Sequence, residues 1–203
     1  MVALLPACGG NGDGDSATGP SANQSPTGSF TLSPGNIVLL AATVVTFTAS
    51  GSDPDGDVLT YSWNFGDGQT ASGVVAQHVF SVAGTLNVTL TIRDARGAAT
   101  STSQNVTVKS IAGTWNDIDT RWTLTFTQVG NTFTGEIWFG PLGRVSVVER
   151  GTLTDPRSLT FFRRAVHWWS YQDDYAGTFD ATLDRIDARP LNEDCCTFTL
   201  TRR

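Results

Sequence analysis

The 203-residue sequence predicts an all-β protein of two modules, and three observations carry that expectation. Apolar and polar residues alternate with period two in run after run beyond residue 28. Short clusters of Gly, Asp, Asn and Pro separate those runs, as turns between strands require. The runs follow one another without helical signals, and the composition agrees: only 16% of residues are charged, while Gly, Thr and Ser are plentiful. At 39% hydrophobic the chain still has enough apolar side chain to build a core.

The net charge of −6 argues against nucleic acid as a partner, because phosphate binding needs clustered Lys and Arg. Seven acidic and three basic side chains precede residue 111, and the acidic ones from Asp53 to Asp57 fall in one short turn. No stretch approaches the roughly 18 apolar residues that would span a bilayer as a helix.

Residues 1–8 end in Leu5-Pro6-Ala7-Cys8, an apolar residue, a small one and then a thiol. The run resembles a bacterial lipobox, which implies lipid attachment at Cys8, export, and a place at the outer membrane or cell surface or in the extracellular space. Only seven residues precede Cys8, too few for a basic n-region and an apolar stretch of about 7–15 residues, so either the true start lies upstream or Cys8 is a chance cysteine in an N-terminal tail. Residues 9–28, rich in Gly, Asp, Ser, Asn and Pro, read as a flexible tether.

The first module spans 29–109. In Leu59-Thr60-Tyr61-Ser62-Trp63-Asn64-Phe65 the odd positions are apolar, and Leu86, Val88, Leu90 and Ile92 alternate with Asn87, Thr89 and Thr91. Turn signals fall at Asp53-Pro54-Asp55-Gly56, Asp67-Gly68, Ala83-Gly84 and Asp94-Ala95-Arg96-Gly97. Short alternating strands at this spacing predict an antiparallel, immunoglobulin-like β-sandwich. It holds no cysteine, so Trp63 and its neighbours must supply the core.

Ser52-Asp53-Pro54-Asp55-Gly56-Asp57, Tyr61-Ser62-Trp63-Asn64-Phe65-Gly66-Asp67-Gly68, Gly84-Thr85 and Asp94-Ala95-Arg96-Gly97 together closely resemble the PKD (polycystic kidney disease) domain. The family commonly has Asp where this chain has Asn64. The resemblance implies a non-catalytic surface module that acts as a spacer, an adhesive unit or a substrate-contact unit. It also implies a calcium site at Asp53, Asp55 and Asp94, completed by carbonyls and water, since this cation takes six to eight oxygens. The same aspartates also serve as Asx turns, and that alternative stays open.

The second module spans 111–203 and follows a junction of only Lys109-Ser110, which predicts close coupling of the two bodies. Trp122, Leu124 and Phe126 alternate with threonines, and further strands are expected over 132–139, 144–153, 158–164, 175–183 and 195–201. Successive hairpins form a meander, and a meander removes its edges by closing into a barrel. Gly113-Thr114-Trp115 resembles the Gly-x-Trp signature of the calycins, the lipocalin and avidin group. That resemblance implies that Trp115 plugs one end of a small up-and-down barrel and that Arg202 or Arg203 packs across it. A barrel this short is expected to be filled with side chains. The alternative is a carrier of a small apolar ligand, lined by Trp115, Trp122, Phe126 and Phe133.

His167-Trp168-Trp169-Ser170-Tyr171 concentrates aromatics, so Trp168, Trp169 and Tyr171 are candidates for an exposed patch that stacks on sugar rings or contacts a protein. Filling the barrel and covering the junction are their alternative roles. Cys195-Cys196 are free thiols, a vicinal bridge or an intermolecular link. No nucleophile motif, phosphate loop or dinucleotide fingerprint is present, and Asp173 and Asp174 are adjacent rather than set to flank a bond. The expected function is therefore non-catalytic: surface binding or scaffolding toward a glycan, a protein or further copies of the chain, with calcium as the one candidate cofactor.

Overall fold

The computed structural model describes residues 21–154, 157–166, 172–192 and 197–203. Among these, the first module contains β1 (Thr27–Ser33), β2 (Ile37–Leu39), β3 (Val45–Ser52), β4 (Thr60–Asn64), β5 (Thr70–Ser72), β6 (Val75–His78), β7 (Gly84–Arg93) and β8 (Ala99–Lys109). They form two sheets, ordered β1-β3-β6 and β2-β8-β7-β4-β5. All pairings are antiparallel except that of β2 with β8, which is parallel.

The period-two pattern does what it predicts. On β7, Val88, Leu90 and Ile92 are fully buried while the threonines between them face outward. Phe30, Phe47, Trp63, Phe65 and Phe80 meet between the sheets with ring centroids 5.2–6.4 Å apart. Trp63 carries the one polar atom among these rings, and its Nε1–H donates to the Gly73 carbonyl at 2.9 Å.

The second module is a closed barrel of β9 (Gly113–Asp117), β10 (Trp122–Val129), β11 (Thr132–Phe139), β12 (Gly143–Thr154), β13 (Ser158–Ala165), β14 (Gln172–Phe179), β15 (Arg185–Pro190) and β16 (Phe198–Arg202). Each strand pairs antiparallel with the next, and β16 returns to β9. Two strands differ from the pattern read in the sequence. The strand expected over 175–183 stops at Phe179, because the Asp180 side chain captures the amides of Asp184 and Arg185 and its carbonyl captures that of Leu183. The chain then starts β15, whose only inward side chains before the terminating Pro190 are Ile186 and Ala188, too brief a run to stand out.

The two modules share a buried joint. On β2 and just after it, successive residues divide between two cores: Val38 and Leu40 pack in the sandwich, while Ile37 and Leu39 pack in the barrel cluster beside Ile111 and Trp115. Gln128 of β10 fastens the joint. Its Oε1 accepts the Ser110 hydroxyl (2.7 Å) and the Ile111 amide (2.8 Å), and its Nε2 donates to the Leu40 carbonyl (3.1 Å). Lys109 and Arg202 both pair with Asp184 at the same joint. The close coupling expected from the short junction thus takes the form of a continuous packed contact.

Candidate functional site

Three carboxylates gather in the turn after β3. Asp53, Asp55 and Asp57 each place an oxygen within 4.8 Å of the others. The chain folds so because Asp53 Oδ1 accepts the amides of Asp55 (2.9 Å) and Asp57 (3.1 Å), an Asx-type turn that brings the alternate acidic residues onto one side. The turn role considered for these aspartates is thus seen in Asp53. Its second oxygen, Oδ2, is buried and has no hydrogen-bond partner. An orphaned carboxylate oxygen beside two further carboxylates fits a hard divalent cation such as calcium. Asp53, Asp55 and Asp57 are the residues that would hold it.

Asp94 is not one of these three. Its carboxylate accepts the Ala98 amide (2.9 Å) and the Asn23 side-chain amide (3.0 Å), so it closes its own hairpin and ties down the segment before β1. Asp57, which the Asp-x-Asp reading stopped short of, takes the third place in the cluster. The signal was present as a third acidic residue at the same two-residue spacing. Arg96, from the turn between β7 and β8, reaches across to Asp55 (2.9 Å) and Asp57 (2.7 Å). The Gln24 amide also donates to Asp55, at 2.7 Å. The Gln24 backbone bond is the main cause, with the Arg96 charge assisting, of an Asp55 carboxyl held below its usual range; the Arg96 guanidinium is raised in turn, chiefly by Asp57.

The run around Trp63 is a structural pin. Asn64 Oδ1 accepts the Gly66 amide, and Asp67 Oδ1 accepts that of Gln69, so two side chains in succession close the turn. Gly66 has φ +79°, and a Cβ there would sit 2.8 Å from the Asn87 carbonyl oxygen; only glycine fits. Asp67 Oδ2 lies 2.7 Å from His78 Nε2, and the His78 ring stacks on Phe65 at 4.1 Å. Burial opposes ionisation of Asp67, but the bonds from His78 and Gln69 overcome it and hold the carboxyl below its usual range.

At the joint end of the barrel, Trp115 is fully buried and its Nε1–H donates to the Ile111 carbonyl at 2.8 Å. The Arg202 guanidinium lies 4.8 Å from the centre of the indole and donates to the Ser110 carbonyl. Burial lowers the Arg202 value, with Asp184 opposing. Gly113 opens the strand with φ +118°, a conformation that side-chain-bearing residues avoid. The four residues considered as a ligand lining pack within the barrel's own cluster: Phe126 meets Phe133 at 5.3 Å, Trp122 meets Phe198 at 5.7 Å and Trp115 meets Phe179 at 6.5 Å. Arg163 is buried beside them over the rings of Tyr175 and Phe198, paired with Asp173 at 3.2 Å. Asp174, one residue on, faces Arg150 on the outside, so the adjacent acids point apart.

Among the described residues, two outer faces have no element packed over them. On the five-stranded sheet, Ser62, Asn87, Thr89, Thr91, Ser101, Ser103 and Asn105 form an uncharged lattice, with Thr89–Ser103, Thr91–Ser101 and Asn87–Asn105 bonded across strands at 3.0 Å. On the barrel, Trp138 is 43% exposed in a row with Asn116, Thr123 and Arg144. Sequence reading missed Trp138 because Ile137-Trp138-Phe139 blurs the alternation; its shared parity with Thr134 and Glu136 was the available sign. A groove of about 530 Å³ on the barrel's outer side is lined in part by Thr160, Thr178, Asp187 and Arg189. Cys8 and its lipobox, His167, the Trp168, Trp169 and Tyr171 patch, Cys195 and Cys196 lie outside the described residues.

Comparison with known proteins assigns the first module. A family model described as PKD domain matches residues 34–109. Collagenase ColA of Bacillus cereus is 44% identical over 55 residues, which are 27% of this chain and 6% of that protein. Pre-pro-metalloprotease PrtV of Vibrio cholerae is 37% identical over 57 residues, 28% of this chain and 6% of that protein. The chain therefore spans only a small fraction of the length of these relatives. Among solved structures, the PKD1 domain of Vibrio anguillarum Epp is 29% identical and is covered over 99% of its length by 44% of this chain, at a TM-score of 0.37. A carbohydrate-binding module structure of the β-sandwich superfamily is 19% identical over 89% of this chain and 85% of its own, at a TM-score of 0.42. At these scores neither likeness carries functional weight.

The Asp67 geometry sets a pH dependence. Its folded-state value lies below the unfolded one, so its contribution is complete above about pH 4 and is lost as pH falls through the depressed value. Asp67→Asn is expected to lower the urea midpoint at pH 7 and to narrow the gap between the midpoints at pH 7 and pH 3. An unchanged gap would contradict the role given to the pair.

Proposed function

We propose, from the premise that residues 34–109 form a PKD domain, that the chain is a non-catalytic binding or scaffold protein working at the cell surface or outside the cell. The observation that supports this reading is the joint: a sandwich and a barrel share one buried contact through Leu39 and Ile111, and between them they display polar and aromatic side chains on their outer faces. The uncharged hydroxyl and amide lattice of the sandwich and the exposed Trp138 suit a neutral, polar partner, and a surface glycan is the favoured class; a protein partner or further copies of the chain are the competing ones. An anchor on Cys8 would hold the body at a membrane.

Co-sedimentation of the full chain with insoluble polysaccharides and with fibrillar collagen tests this reading. Binding to at least one polysaccharide, without release of soluble sugar, is expected. Binding to collagen alone would move the partner class to protein. Failure to bind any matrix, or release of soluble sugar or peptide, would contradict the reading.

We further propose that Asp53, Asp55 and Asp57 hold calcium and so brace the turn after β3. The support is the orphaned Asp53 oxygen beside two carboxylates. A site of the extracellular type, with a dissociation constant on the order of 1 mM, predicts that 10 mM calcium raises the melting temperature by about 2–5 °C. Asp53→Asn should remove the rise; no rise in the unaltered chain would dismiss the site.

A further inference from the structure

We propose that the outer groove of the barrel, over β13 to β16, binds a glycan that carries uronic acid units, with the Arg189 guanidinium taking a sugar carboxylate and a rim of hydroxyls taking the sugar hydroxyls. This rests on the surface-glycan reading above and assigns a separate face of the barrel its own class of sugar.

The groove follows from side-chain size. Tyr175, Gly177 and Phe179 of β14 face inward, so Ala176 and Thr178 face outward at this level. In the strand register Ala176 lies between Thr160 of β13 and Arg189 of β15. A single methyl group there, next to the bare Gly177, leaves a floor lower than the strands on either side. The space above it amounts to about 530 Å³, a size at which small-ligand sites are found. Leu159, Ala176 and Ala188 make the floor apolar, which suits the C–H face of a pyranose ring. Thr154, Ser158, Thr160, Thr178, Thr197 and Thr199 line the same groove. Each of these hydroxyls both donates and accepts, as a sugar hydroxyl does.

Charge selects the kind of sugar. β15 presents Arg185, Asp187 and Arg189 outward in alternation. Asp187 is already engaged: its Oδ1 accepts Arg185 Nε (3.1 Å), Arg185 Nη2 (2.9 Å) and the Thr199 hydroxyl (3.2 Å). Arg189 makes no side-chain hydrogen bond or ion pair among the described residues, and the cross-strand position opposite it holds Ala176, which offers no acceptor. The groove therefore carries one uncompensated positive charge on a chain whose net charge is −6. A planar carboxylate matches the guanidinium fork through two parallel bonds. A neutral glycan would match the rim hydroxyls and leave the cation unused. An acidic peptide would meet the cation and bring few hydroxyls to the rim. A sugar chain with carboxylates uses both.

Isothermal titration of the full chain with oligomers of galacturonic acid, of galactose and of glutamate tests the proposal, with a melting curve of each variant to verify folding. The galacturonate oligomer is expected to bind more tightly than the other two. Arg189→Gln should weaken that binding roughly tenfold, the scale of one charge-assisted pair, and Arg189→Lys by less, since it keeps the charge without the fork. Ala176→Phe fills the floor and should abolish binding. Unchanged galacturonate binding in Arg189→Gln or in Ala176→Phe overturns the proposal and leaves the surface-glycan reading standing. Equal binding of the glutamate oligomer overturns the assignment to a sugar. No galacturonate binding, with retention on a neutral polysaccharide in the sedimentation assay, overturns the groove alone. No binding to any saccharide overturns the groove and the surface-glycan reading together.

Discussion

A three-residue strand governs how this molecule is put together. β2 runs parallel to the end of β8, and the alternation of its side chains assigns neighbours to different cores, Val38 to the sandwich and Leu39 to the barrel. Period two is normally a device for separating a core from water. Here it separates one core from another. Each of the two residues is about 1% exposed, so neither module can withdraw from the other without uncovering apolar surface and the polar bonds of Gln128 around it.

That constraint explains what the rest of the barrel is free to do. The end nearest the sandwich is closed by Trp115, capped by Arg202 and sealed by Ile111, and the interior beyond it is occupied by Phe126, Phe133, Phe161, Tyr175 and Phe198. The sandwich core is likewise built from an aromatic cluster that runs from Phe30 to Phe80. Other carboxylates are paired with basic groups: Asp173 with Arg163, Asp174 toward Arg150, Asp67 with His78. The acidic turn at Asp53–Asp57 is paired with Arg96 and lies against the segment before β1, where Gln24 bonds Asp55 and Asn23 bonds Asp94.

Much of the fold was legible because alternation is a local property. The strands around Trp63, Leu90, Leu124 and Phe133 follow from their own residues, and so does the turn at Asp67-Gly68. What escaped was set by partners distant in sequence. Leu39 reads as part of the apolar run 37–42, and only the fold shows that it leaves the sandwich. Gln128 carries no local sign that its amide will serve residues 40, 110 and 111. At the acidic turn the residue types were visible, but Arg96 lies 39 residues from Asp57, and its position over the carboxylates depends on the β7–β8 hairpin folding back across the end of the sandwich. Asp94, expected at the same site, accepts the Asn23 side-chain amide and closes its own turn, and the Asn23 contact, 71 residues away in sequence, carried no local sign.

Orientation of the two bodies in solution tests the shared joint most directly. Residual dipolar couplings of backbone amides in a weakly aligned sample, fitted separately for residues 29–109 and 113–203, should yield one common alignment tensor in magnitude and direction. Two tensors of different magnitude would mean that the modules move independently, and Leu39 could not then be a fixed part of the barrel's core.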